Sequence, residues 1–400
     1  MSNVRDGRGW RKSHSPMHIL ILGSDPKMIV NFRGPLIEAM LAAGHCVTAA
    51  GSGASDKATA WFAKHNVAYI DVPIERNGLN PFADLKTLRA IVTMLRTVKP
   101  DLLFASTIKP VVYGLIAARI AGVKRRAAMI EGLGYAFTES PLESAMQRLR
   151  RTAVFMAARN AYRLALSFAE TVIFLNPDDK AVFARMGLTR KAQHVSLVNG
   201  SGVDIARFVP APFPDGPITF LMIARLLRDK GVYEYVEAAR LVKQTHPEAR
   251  FVLVGPFDTN PSAVKPHEVE AWVREGVIDY KGAAEDVRPH IAACHVFVLP
   301  SYREGVPQTV LEAMAMGRPV ITTDVPGCRE TVRDGQNGII VPVQSGAQLA
   351  QAMCHLLATP EQITKMGNEG NLIAIGKFNS LVVAASTLEH LSQPTVAASN

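Results

Sequence analysis

Four hundred residues exceed one average domain and set an expectation of two. With 48% hydrophobic and 20% charged residues, the composition excludes a disordered chain, and no uncharged apolar run is long enough to span a membrane. The formal charge of +9 favours an anionic partner without choosing among nucleotide, nucleic acid and anionic lipid, while Cys46, Cys294, Cys328 and Cys354 lack zinc or redox spacing and read as core filler in a reduced compartment.

In chain order, residues 1–16 are polar and basic, without the apolar core of a signal peptide, and are expected to be a disordered lead-in. His18–Leu22 reads as a strand, Leu36–Ala43 as a helix and Cys46–Ala50 as the next strand, a βαβ opening. Gly34 is placed at the strand-to-helix connection, where a glycine lets a ligand approach, although a full G-x-G-x-x-G is lacking. Ala68–Val72 is a strand, Pro81–Val98 a helix, Asp101–Ala105 a strand with Thr107–Pro110 as its exit, Tyr113–Ala121 a helix and Arg126–Ile130 a strand leading into Glu131–Thr138. Lys109 and Glu131 therefore fall beyond the carboxyl ends of strands, where open parallel sheets bind ligands.

Leu142–Phe168 reads as a long helix carrying Arg148, Arg150, Arg151, Arg159 and Arg163 beside Phe155, Met156 and Tyr162, a pattern that suits an anionic bilayer surface. Strands follow at Thr171–Leu175 and His194–Val198. Asn199–Asp204 and then Pro210, Pro212, Pro214 and Pro217 mark an interdomain linker. The alternation then resumes, with strands at Ile218–Ile223, Arg250–Val254, Val277–Tyr280, Val296–Pro300, Pro319–Thr323 and Gly338–Val341. Helices are expected at Val232–Thr245, Glu268–Glu275, Val287–Cys294, Thr309–Met316 and Ala347–Ala358, and a last one over Leu372–Leu391.

The richest chemistry lies between Ser301 and Glu312. A buried strand runs into Gly305 and Pro307, and the helix that follows opens with unsatisfied N–H groups suited to an anion. Glu304 and Glu312 flank this helix start, and a carboxylate accepts hydrogen bonds from paired sugar hydroxyls. Arg225 and Lys230 leave a second strand on the same sheet edge and could neutralise a departing diphosphate. A nucleoside diphosphate joined to a sugar would use all four side chains. No Asp/His cluster with metal-ligand spacing is apparent, so the two cations are expected to serve in place of a metal, and no cofactor is expected.

Ile223–Gly231, Glu304-Gly-Val-Pro307 and Glu312 resemble the donor site of retaining glycosyltransferases of family 4, including the Glu-x7-Glu spacing. Asn199–Phe208, Val325–Glu330 and Asp334–Gly338 are similar to other segments of that family. Thr107–Pro110 and Glu131–Tyr135 resemble its branch acting in bacterial surface polysaccharide and undecaprenyl-linked glycan synthesis. The resemblance implies an α/β GT-B fold: two Rossmann-like doubly wound parallel-sheet domains facing a central cleft, with a C-terminal helix crossing back to the first. The expected domains are an acceptor-binding domain over 17–200, a linker over 201–217, a nucleotide-sugar domain over 218–375, and a returning helix and tail over 376–400. It further implies that Arg225 and Lys230 hold the diphosphate, Glu312 the ribose, and Glu304 with the backbone of Gly305, Val306 and Pro307 the donor sugar, while Gly34 lets the first-domain loop approach the phosphates or acceptor. Lys109 and Glu131 would meet the acceptor. Many relatives carry a donor-contacting His near position 131, where Glu131 stands here. The implied activity is retaining transfer of a hexosyl or N-acetylhexosaminyl group from a UDP-sugar to a polyprenyl-diphosphate-linked or glycan acceptor. The implied setting is the cytoplasm, peripheral to the inner membrane face, with no nucleic acid partner.

Three other readings compete. A UDP-sugar 2-epimerase of the same fold needs proton-transfer groups for which the first domain offers little evidence. A nicotinamide-dependent oxidoreductase needs the full glycine motif and an acidic residue after the second strand. A non-catalytic nucleotide sensor would not need Arg225, Lys230, Glu304 and Glu312 together.

Overall fold

The computed structural model describes residues 15–75, 81–132, 145–260 and 262–393. The lead-in up to residue 14 and the segment 133–144, including most of Glu131–Thr138, lie outside the described residues. The chain divides into two units: one holds the residues up to Leu175, Asp179–Val198 and Ala384 onward, the other Asn176–Asp178 and Asn199–Val383.

The first unit is built on β1 (His18–Leu22), α1 (Pro26–Ala42), β2 (Cys46–Gly51), α2 (Asp56–Lys64), β3 (Ala68–Asp71), α3 (Pro81–Val98), β4 (Leu102–Ser106), α4 (Ile108–Ala121), β5 (Arg125–Ile130), α5 (Ala145–Leu166), β6 (Thr171–Phe174), α6 (Pro177–Arg185) and β7 (His194–Leu197). Its strands form one parallel sheet in the order β3-β2-β1-β4-β5-β6-β7. The central strands are continuous apolar runs because helices cover both faces of such a sheet. Helix α1 begins ten residues earlier than expected. Asp25 caps it by accepting from the Met28 N–H at 2.9 Å, and Pro26 suits its first turn. Pro35, inside α1, hid this continuity in the sequence. Helix α2 was not foreseen at all. In α5, Tyr162 is fully buried against Phe183, so it belongs to the core and not to a membrane-facing stripe, whereas Met156 and Leu164 are exposed.

The second unit comprises β8 (Thr219–Ile223), α7 (Val232–Lys243), β9 (Arg250–Val254), α8 (Pro266–Arg274), β10 (Asp279–Tyr280), α9 (Arg288–Ala292), β11 (Val296–Leu299), α10 (Gln308–Ala315), β12 (Val320–Thr323), β13 (Gly338–Val341), α11 (Gly346–Ala358) and α12 (Pro360–Lys377); α13 (Ser380–Ser392) starts in this unit and belongs to the first from Ala384 onward. Its parallel sheet runs β10-β9-β8-β11-β12-β13. The Pro-rich stretch is anchored to this unit: the buried Arg318 guanidinium donates to the carbonyls of Ala211 at 2.8 Å and Pro212 at 2.9 Å.

The expected single helix over Leu372–Leu391 is two. Phe378 is fully buried, and its carbonyl accepts from the Val203 N–H at 2.7 Å, while the Ser380 N–H donates to the Val203 carbonyl at 2.9 Å. These bonds bend the chain between α12 and α13 to satisfy core burial. Within the first unit, Arg125 Nη2 donates to the Gln393 carbonyl at 3.1 Å, and His194 Nε2 lies 3.1 Å from His390 Nδ1.

Candidate active site

In the second sheet the chain steps outward from β8 to β9 and β10, then returns to the other side of β8 as β11. The region beyond the carboxyl ends of β8 and β11 is therefore the topological switch point, where open α/β sheets bind ligands. Residues 224–231 leave β8 there, and residues 300–307 leave β11.

The two loops are pressed together. Gly231 has φ +78°, and a Cβ there would lie 2.1 Å from the Pro300 carbonyl oxygen, so both conformation and space require glycine. The Tyr302 N–H donates to the Asp229 carbonyl at 2.9 Å. The loop after β12 supports them from the other side. The Glu304 N–H donates to the Pro326 carbonyl at 3.0 Å. A Cβ on Gly327, at φ +83°, would come within 2.4 Å of the Glu304 carbonyl.

This packing fixes the Glu304 carboxylate. Lys230 Nζ donates to its Oε1 at 2.5 Å, and Ser301 Oγ donates to the same oxygen at 2.7 Å. Both ionic side chains are largely shielded, at 18% exposure for Lys230 and 13% for Glu304. Shielding strengthens such a charge-assisted contact. Ser301 is fully buried, and its own carbonyl accepts from the Thr323 hydroxyl. Burial, aided by the Glu304 charge, pushes the Cys328 thiol up to about 12, so this cysteine is an inert neighbour. Arg225 is oriented differently: its Nη1 lies 2.9 Å from Asp258 Oδ2, and it stays half exposed.

Helix α10 starts at the same place. Its cap residue, Pro307, provides no side-chain hydrogen bond, so its first turn offers backbone N–H groups to an anion. Glu312 lies one turn in. Part of the residue meets solvent, but protein crowds its carboxyl, and this burial raises its pKa to about 7 against the opposing Gln308 hydrogen bond and Arg207 charge.

The first-unit candidates fare unevenly. Gly34 does not lie at the β1 exit. It is a buried residue of α1, and a Cβ there would meet the Trp61 ring at 3.4 Å, so its missing side chain makes room for α2 and not for a ligand. Gly23 and Ser24 form the connection instead. Lys109 is not on a loop tip: it sits in the first turn of α4, with Nζ 3.0 Å from Asp84 Oδ1 of α3. Glu131 does face a pocket, which is lined by Gly23, Ser24, Phe32, Arg33, Ser106 and Thr107 among others.

Sequence reasoning missed Ser301, which the β11 exit presented beside Glu304, and Arg33, whose neighbour Gly34 drew the attention. It also missed Thr107, whose φ of +70° and ψ of +161° no sequence pattern announces. Among the described residues no group of three or more His, Cys, Asp or Glu side chains could hold a metal ion, and no helix is long and apolar enough to cross a membrane.

Residues 217–359 match the family model described as glycosyl transferases group 1, and residues 19–176 match that of glycosyl transferase 4-like proteins. The N,N'-diacetylbacillosaminyl-diphospho-undecaprenol alpha-1,3-N-acetylgalactosaminyltransferase of Campylobacter jejuni is 30% identical over 295 residues, covering 70% of this chain and 74% of that protein. The UDP-Gal:alpha-D-GlcNAc-diphosphoundecaprenol alpha-1,3-galactosyltransferase of Escherichia coli is 25% identical over 283 residues, covering 68% and 70%. Among solved structures, Anabaena HepE in complex with UDP superposes with a TM-score of 0.71 at 19% identity, covering 94% of this chain and all of that one. This likeness supports the α/β class of two Rossmann-like parallel-sheet domains.

Proposed function

Since the chain belongs to the glycosyltransferases of the group 1 and 4-like models, we propose that it moves a sugar from a UDP-sugar to a polyprenyl-diphosphate-linked sugar, with retention of anomeric configuration. Family membership sets it among transferases rather than with the epimerase or oxidoreductase readings. The acceptor class is supported by two relatives whose names specify diphospho-undecaprenol acceptors, one of which also specifies a UDP-sugar donor.

The observation that carries the mechanism is the Lys230–Glu304 contact beside the uncapped start of α10, at the switch point of the second sheet. Lys230, Arg225 and the α10 N–H groups would take the donor diphosphate and stabilise it as a leaving group. The Glu304 carboxylate and the backbone of Gly305, Val306 and Pro307 would hold the donor sugar, and Glu312 the ribose hydroxyls. Retention by front-face attack needs no protein nucleophile. The acceptor hydroxyl attacks the anomeric carbon as the C–O bond to the diphosphate breaks, and its proton passes to the departing diphosphate. Glu131 would meet the acceptor in the first unit. We place the enzyme at the inner membrane face, docked through α5.

The test is a panel of UDP- and GDP-sugars with polyprenyl-diphosphate-N-acetylhexosamine, with products identified by mass spectrometry and the new linkage by NMR. An α-donor giving an α-linked lipid supports the reading. A β-linked product removes retention. A new nucleotide sugar formed from donor alone restores the epimerase.

A further inference from the structure

The first sheet has its own switch point. Its order places β1 beside β4, with the chain winding outward from each in opposite directions. Beyond these carboxyl ends, Ser24 Oγ and Thr107 Oγ1 lie 2.6 Å apart, one from each strand exit. Thr107 holds a backbone conformation that side-chain-bearing residues rarely adopt and that recurs at functional sites. Arg33 and Glu131 complete the wall of the pocket around them.

Arg33 lies two turns into α1 and is 3% exposed. A buried guanidinium is costly without partners, and Arg33 has them: Nη1 donates to the Phe32 carbonyl at 2.9 Å, and Nη2 donates to Glu131 Oε1. Glu131 directly follows β5 and retains 26% exposure. One carboxylate oxygen is thus held from beneath by a hidden cation, and the group keeps access to the pocket. A carboxylate so fixed is a ready acceptor for a sugar hydroxyl, with the Ser24–Thr107 pair offering further hydrogen bonds.

We infer that Arg33 is a positioning residue: it orients the Glu131 carboxylate in this pocket to accept a hydroxyl of the acceptor's terminal sugar. This rests on the proposed transfer to a sugar acceptor and assigns a part of its specificity to an Arg–Glu pair.

Two assays separate the inference from the function it rests on. In the transfer assay, Glu131→Gln and Arg33→Gln should each raise the acceptor KM about 10-fold or more while leaving the donor KM unchanged. The double variant should be no worse than the poorer single, because Arg33 acts through Glu131. Arg33→Lys should recover part of the loss. In the second assay, saturation-transfer NMR with methyl N-acetylhexosaminides, with UDP in excess to occupy the donor site, should show binding to the wild type that both single variants lose. This assay needs no lipid. If the wild type transfers sugar but acceptor KM is unmoved in variants that fold by circular dichroism, or if the two effects multiply, the inference is overturned and the transferase reading stands. If the wild type transfers nothing yet glycoside binding is lost in the variants, the transfer reading falls, and what stands is that Arg33 positions Glu131 to bind a glycoside. If glycosides bind neither wild type nor variants, or bind all alike, the inference falls.

Discussion

Lys230 Nζ and Glu304 Oε1 lie 2.5 Å apart across the exits of β8 and β11, with little exposure of either side chain. The contact ties the cation proposed for the diphosphate to the carboxylate proposed for the sugar, and it sets different expectations for the two basic residues. Lys230→Ala removes a phosphate partner and also leaves Glu304 with only Ser301 among its side-chain partners named above. Arg225→Ala removes a half-exposed cation already engaged by Asp258. Losing a preorganised donor to transition-state charge costs on the order of 100-fold in kcat/KM. Lys230→Ala should reach or exceed that value, and Arg225→Ala should fall short of it. Steady-state kinetics decide this, and near wild-type turnover in both variants would remove the diphosphate assignment.

The two glutamates should separate in both kinetics and pH. Glu304→Gln should lower kcat more than it raises the donor KM, because its proposed place is against the sugar whose charge changes. Glu312→Gln should mainly raise the donor KM, several-fold. The Glu312 pKa of about 7 gives a further expectation. Only its carboxylate form accepts both ribose hydroxyls, so donor affinity should weaken as pH falls below about 7, and Glu312→Gln should flatten that limb. The stability effect has the opposite direction. With its pKa raised in the folded state, Glu312 favours folding most below the usual carboxylate range, and that contribution is lost as pH rises through about 7. Glu312→Gln should therefore raise Tm at pH 8 and not at pH 4. A pH-independent donor KM in the wild type would contradict the ribose role.

The elements that carry the second-unit candidate residues were legible because those residues are local in sequence. Glu304, Pro307 and Glu312 fall within one strand–turn–helix, and Arg225 and Lys230 within one strand exit, so periodicity and turn chemistry placed them correctly. The first-unit site was not, because it depends on distant partners. Whether Lys109 is loop or helix, and whether its ammonium meets solvent or Asp84, is decided by how α3 packs on α4. Gly34 was misplaced because Pro35 suggests a helix boundary, although a proline can be accommodated inside a helix such as α1. The α12–α13 bend depends on Val203, 175 positions before Phe378, and no local signal encodes it.

Metal removal gives a further test. Lys230, Arg225 and the start of α10 are the groups proposed to take the diphosphate, so turnover should persist within about two-fold after dialysis against EDTA. A loss that added Mg²⁺ or Mn²⁺ restores would transfer the leaving-group role to a metal and reduce Lys230 to a structural partner of Glu304.

The membrane prediction concerns α5. Its sequence carries Arg148, Arg150, Arg151, Arg159 and Arg163. On its described surface, Met156 is 42% exposed and Leu164 53% exposed, and Arg163 is exposed beside them, whereas Tyr162 is committed to the core. The apolar area available for insertion is thus smaller than the sequence suggested, and binding should be governed by charge. Basic residues near an anionic bilayer contribute about 1 kcal/mol each, and salt screens them. The protein should therefore sediment with vesicles containing anionic lipid at low salt, should release at about 0.5 M salt, where the screening length falls to a few ångströms, and should ignore neutral vesicles. Changing Arg148, Arg150 and Arg151 to Glu should weaken sedimentation and leave transfer to a short, water-soluble acceptor within about two-fold, since the proposed donor residues belong to the other unit. Changing Met156 to Ser should weaken sedimentation only slightly. If the triple variant sediments as the wild type does, α5 is a helix packed on its own unit with a solvated basic face, and the proposed lipid acceptor would have to be reached by another surface.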